Sequence, residues 1–170
     1  VYTIAVYGCT IPVSLDYDPA ANTPCDGTNG GACVDGQSGS NCCCRKVIGD
    51  FHEGGYIFKF SNNTDLSGGA WVVRDTDESD SLWGCNGQTI SYTSQLLSAS
   101  NNLTTTIDNE CSSTGTNCAA DLAVNANHGG YTDWALPALN GLSLLDTKLG
   151  YQATGVNSSG TPLDNLVGLY

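Results

Sequence analysis

Three consecutive cysteines, Cys42-Cys43-Cys44, constrain this chain more than any other feature. Adjacent cysteines rarely bridge one another without strain, so their sulfurs are expected to go to three different partners. Remote segments would then be drawn to one point. Six further cysteines are present: Cys9, Cys25, Cys33, Cys85, Cys111 and Cys118. Such density belongs to an oxidising compartment. A zinc site would need cysteines paired about two to four residues apart, repeated or joined by histidines. Here the spacings are long or zero, and His52 and His128 stand alone. The nine cysteines are therefore read as a disulfide framework with one sulfur free or bonded to another chain. Cys111 and Cys118 are candidates to close one small loop, with Cys85 a competing partner for either.

Compartment and charge narrow the function. Methionine is absent, at position 1 as elsewhere, which reads as a mature chain beginning after processing. No apolar run approaches the ~20 residues that cross a bilayer. The expected location is secreted, extracellular or at the cell surface. Seventeen acids against five bases give a net charge of −12. That excludes nucleic acid as the main partner, because phosphate binding draws on clustered Lys and Arg. Only 13% of residues are charged, so Ser, Thr, Asn and Gly must cover much of the surface. Such a skin suits glycans or neighbouring copies.

Along the chain three regions separate. Residues 1–15 form an N-terminal strand segment, with Val1-Tyr2-Thr3-Ile4-Ala5-Val6-Tyr7 rich in β-branched and aromatic residues. Residues 16–48 are a Cys-rich loop region that only its bridges would order. Residues 49–170 are more regular. Strands are expected at Tyr56–Phe60 and Ala70–Arg74, with turns at Asn62–Asp65 and Gly68-Gly69. A short helix is expected over 117–127, capped by Asn117, with Cys118, Leu122 and Ala126 on one face. A second opens at Pro137 and stops at Gly150, with Leu139, Leu142, Leu145 and Leu149 as its stripe.

Gly49-Asp50-Phe51, Gly54-Gly55-Tyr56-Ile57-Phe58, Trp83-Gly84-Cys85 and Gly129-Gly130-Tyr131-Thr132-Asp133-Trp134-Ala135-Leu136-Pro137 follow one another in that order. Over residues 49–150 the chain thereby resembles the bacterial Lcl C-terminal domain family, extracellular domains named after a collagen-like adhesin. The resemblance implies an α+β, C-type-lectin-like domain with small antiparallel sheets and two short helices. The N-terminal strand and stapled loops would precede it. Trp134 and Leu136, just ahead of a helix, read first as packing residues. The family's charged entrance after the proline, Ser-Lys-Asp-Glu-Leu, is replaced here by Ala138-Leu139-Asn140-Gly141-Leu142. This exposes Leu139 and suggests that the helix faces another protein surface.

Motifs that carry chemistry are few. Three sequons, at Asn62, Asn102 and Asn157, fall in segments read as loops or turns and are candidate glycan sites. Asp75, Asp77 and Asp80 place acids where they could ligate calcium. The run lacks the sixth-position glycine and terminal glutamate of a calcium loop, so a solvated acidic turn is the simpler reading. His52-Glu53-Gly54-Gly55-Tyr56 opens like a zinc-protease motif without its second histidine. Gly36-Gln37-Ser38-Gly39-Ser40 misses the nucleophile elbow at its last residue. No cofactor is expected, and the chain is not expected to be an enzyme.

Two functions remain. The first is a structural glycoprotein that self-assembles head to tail into a surface filament or layer. Val1, Tyr2, Ile4, Val6, Leu139, Leu169 and Tyr170 would be its interface residues, by strand exchange and apolar contact. The second is an adhesin module that binds glycan or matrix through exposed aromatics such as Trp71 or Trp83.

Overall fold

The computed structural model describes residues 3–34, 36–76, 81–82, 87, 89–112, 118–150 and 153–166. It is a small mixed α+β structure with two small sheets and three helices. One sheet pairs β1 (Tyr7–Gly8) with β2 (Thr23–Pro24) in parallel. The other is antiparallel, in the order β3 (Phe51–His52), β4 (Gly55–Phe60), β5 (Ala70–Arg74). The helices are α1 (Ser100–Ser112), α2 (Ala119–Asn125) and α3 (Leu139–Leu149).

The Cys-rich region is organised from the cysteine triplet. Cys42 bonds Cys33, Cys43 bonds Cys25, and Cys44 bonds Cys9, so the three adjacent sulfurs do go to three partners. The widest loop, Cys9 to Cys44, spans 35 residues. Closing a loop of that size removes about 3–4 kcal/mol of unfolded-chain entropy in the loop-closure account. Asn41, just before the triplet, holds a positive φ of 60°. Its side-chain oxygen accepts from the Thr10 amide and hydroxyl at 3.0 and 2.9 Å. The Arg45 guanidinium then grips the Asp16 carboxylate with two nitrogens, at 2.6 and 2.8 Å.

In β4, Ile57 faces Val72 and Lys59 faces Trp71, which leaves Phe58 as an extra residue. Such a bulge turns two successive side chains to the same side. Ile57 and Phe58 are accordingly both buried. Phe58 meets Leu145 and Leu149 of α3, with Ala153 and Leu163 closing the core. A second cluster, Cys111, Cys118 and Ala120, joins α1 to α2 beneath Leu136.

Several expectations are corrected. Among the described residues of the N-terminal segment, Tyr7–Gly8 enter a ladder. Helix α1 was not anticipated, and it carries Asn102, so that sequon lies on a helix and not in a loop. Pro137 stands before α3, whose N-cap is Ala138. Of the α3 stripe, Leu145 and Leu149 are buried together with Gly141, while Leu142 is exposed, as is Leu139. Gly141 packs on Leu97 so closely that a Cβ would lie 2.9 Å from its side chain. Cys118 is a buried free thiol, so no Cys111–Cys118 bridge forms. Cys111 is itself disulfide-bonded.

Candidate functional site

The glycine motifs meet in space. Gly54 holds a φ of 86°, and a Cβ on it would lie 2.8 Å from the His128 carbonyl oxygen and 3.3 Å from Trp134. A Cβ on Gly129 would lie 2.8 Å from the Gly54 Cα. The two backbones thus cross at contact distance, which only glycine permits. The crossing fixes the segment that follows. Trp134 Nε1 donates to the Tyr131 carbonyl at 3.0 Å, and its ring meets His128 edge-on at 5.8 Å. His128 Nε2 lies 3.0 Å from Asp75 Oδ1. Leu136 then donates its amide to Thr104 Oγ1 at 2.9 Å, docking the segment on α1.

Between this segment, α2 and β5 lies a cleft of about 730 Å³. Trp71, Leu122, Ala123, Trp134 and Leu136 give it apolar walls. Every residue from Gly69 to Arg74 lines it. Successive side chains of a strand point to opposite faces. A cleft touched by all of them therefore runs along the edge of β5. That edge is open: β5 is the outer strand of its sheet, and among the described residues Ala70–Val73 make no backbone hydrogen bond away from β4. Glu53, Arg74 and Asp133 are the charged groups of the lining.

The second feature is the segment 3–7, all of it exposed. Ile4 is 82% exposed. One edge of the segment is held by residues 22–25. Asn22 Nδ2 donates to the Ile4 carbonyl at 2.9 Å, and Asn22 Oδ1 accepts from the Val6 amide at 3.0 Å. The Val6 and Gly8 carbonyls accept from Thr23 and Cys25. By strand alternation Ala5 and Tyr7 turn their backbone groups the other way. There, among the described residues, those groups have no hydrogen-bond partner.

The remaining candidates are dispersed. Val1, Tyr2, Asp77, Asp80, Trp83, Cys85, Leu169 and Tyr170 lie outside the described residues. Asp75 sits against His128. Asn62 is exposed, yet its amide nitrogen donates to Asp65 and Ser67, and its oxygen accepts from the Thr64 and Asp65 amides. Asn157 is 6% exposed, and its amide nitrogen donates to the Gly49 carbonyl. Both side chains organise their own loops. Asn102 is exposed on α1. Among the described residues the sulfurs of Cys25, Cys43 and Cys44 are close enough to share a metal. All three are in disulfides, which leaves no thiolate to donate.

The cleft was not legible from sequence, because its walls come from residues 69–74, 119–126 and 131–137. Compared with family models, curated proteins and solved structures, the chain matches none. No helix among the described residues is long and apolar enough to cross a membrane. The three disulfides between described residues are compatible with an oxidising, extracellular setting.

Proposed function

We propose that this chain is a structural, non-enzymatic subunit that self-assembles head to tail into an extracellular filament or surface layer. The observation that carries this reading is the segment 3–7. Ile4, Val6 and Tyr7 are exposed along an extended backbone whose outer edge makes no hydrogen bonds among the described residues. Exposed apolar strand edges are templates for pairing with another chain. Charge supports the same reading. Copies with a net charge of −12 repel one another, and residues 1–15 contain no charged side chain. An uncharged surface is the place where two copies can approach. Leu139, 58% exposed on α3, and exposed Leu142 add a second apolar surface.

Sedimentation velocity over a range of protein concentrations tests the proposal. The wild type is expected to associate, and an Ile4→Asp/Val6→Asp variant to stay monomeric. Equal behaviour of the two would overturn the role of this segment.

A second reading, an adhesin module for glycan or matrix, is favoured by Trp71, Tyr131 and Trp134 in one cleft. The resemblance to the Lcl C-terminal domain family points the same way. Deleting residues 1–8 separates the two readings. A subunit would lose assembly, and a binding module would keep its ligand.

A further inference from the structure

We propose that the cleft along β5 is the acceptor for residues 3–7 of a second copy, which add to the sheet as a fourth strand. The inference rests on the subunit reading above and gives it a second, specific surface.

Three features match. The first is length: β5 has five residues, about 17 Å at ~3.4 Å per residue, and so does the segment 3–7. The second is hydrogen bonding. The open edge of Ala70–Val73 and the open edge of Ala5 and Tyr7 both offer N–H and C=O groups unused among the described residues. Pairing them satisfies both, and the incoming segment keeps its own bonds to Asn22 and Thr23. The third is chemistry. An added strand would turn one face toward Trp71, Leu122 and Trp134, and Ile4 and Val6 are suited to enter there. Backbone pairing supplies affinity in such additions, and the alternate side chains supply specificity.

The uncharged character of the segment also decides the occupant. The cleft carries Glu53 and Asp133 against Arg74 on a chain that is acidic overall. An acidic peptide or a negatively charged partner would be repelled, whereas residues 3–7 bring no charge. The donor and acceptor surfaces differ, so the contact is heterologous. It propagates as a fibre where the rotation between copies does not close.

The experiment places a photo-reactive p-benzoylphenylalanine at position 4 of the full chain, where the side chain is exposed. Copies of this variant are mixed with isotopically heavy wild-type chains, irradiated, reduced and digested with trypsin. Cleavage after Lys59 and Arg74 releases β5 within a single peptide, 60–74. The expected product is a heavy–light crosslink joining the N-terminal peptide to 60–74. It should be suppressed by excess synthetic peptide of residues 1–8 and unaffected by a scrambled version. Intermolecular products that exclude 60–74 would overturn the acceptor assignment and leave assembly intact. Monomers at every concentration, with no intermolecular product, would overturn both.

Discussion

The side-chain amide nitrogen of Asn157 donates to the carbonyl oxygen of Gly49 at 3.0 Å, across 108 residues of sequence. The Asn157 oxygen accepts from the amides of Ser159 and Thr161, and the Ser158 amide donates to Asp50 at 2.8 Å. A buried side chain used on both ends holds two loops together. Removing it leaves the Gly49 carbonyl without its donor, which costs about 1–3 kcal/mol. Asn157→Ala is expected to lower the thermal midpoint by several degrees.

The same nitrogen is the atom to which a glycan would be attached. In a host that glycosylates sequons, Asn102 is expected to carry sugar and Asn157 none. Glycopeptide mapping of the folded, monodisperse protein checks this. A modified Asn157 in that material would contradict the structure.

The crossing of Gly54 and Gly129 predicts a severe effect from a single methyl. Gly54→Ala forces a Cβ to within 2.8 Å of the His128 carbonyl at a φ of 86°. The backbone strain alone is of order 1–3 kcal/mol. Gly36→Ala, also at positive φ but with open space around it, is expected to be milder. Denaturant midpoints of the two variants should differ in that order.

Thr104 is buried and serves as both donor and acceptor. Its hydroxyl donates to the Ser100 carbonyl at 2.7 Å and accepts from the Leu136 amide at 2.9 Å. Thr104→Val keeps the shape and strands that amide, an expected loss of about 1–3 kcal/mol. Thr104→Ser should recover most of it, as urea unfolding would show.

How much of this was legible in the sequence follows from which forces shape each element. β4 and β5 are runs of β-branched and aromatic residues, and the structure places them where that pattern predicts. Helix α1 was hidden, because Ser-Asn-Asn-Leu-Thr-Thr-Thr-Ile-Asp-Asn has poor helix propensity. It is held by tertiary contacts instead: Thr104 on Leu136, Ser100 on Ala138, and Cys111 in a core cluster. The leucine stripe of α3 is legible in part: Leu145 and Leu149 are buried, while Leu139 and Leu142 are exposed. Gly141, buried against Leu97, belongs to the packed face although a pattern of apolar side chains does not mark it. The destinations of the cysteine triplet could be counted but not assigned from sequence.

Acid should weaken the fold in a defined window. Asp16 is held below its ordinary value chiefly by the side-chain hydrogen bond from Arg45. Asp65 is lowered to about 2 by Ser67 and Asn62, and Glu110 is lowered by Ser91. Asp26 is lowered by the backbone amides of Asn29 and Thr28. Carboxylates with depressed folded values bind fewer protons when folded than when unfolded. Their contribution is therefore full above the unperturbed range near ~4 and is lost as pH falls toward 2. Thermal melts between pH 6 and 2 should show the decline. Arg45→Gln should make it shallower by removing the partner of Asp16.

Head-to-tail assembly is proposed to run through the segment at residues 3–7. Negative-stain electron microscopy of the native, non-reduced protein tests it most directly. Regular filaments or a layer with a repeat of one subunit are expected, and are expected to be absent from the Ile4→Asp/Val6→Asp variant. Dispersed single particles of the wild type at every concentration would contradict it.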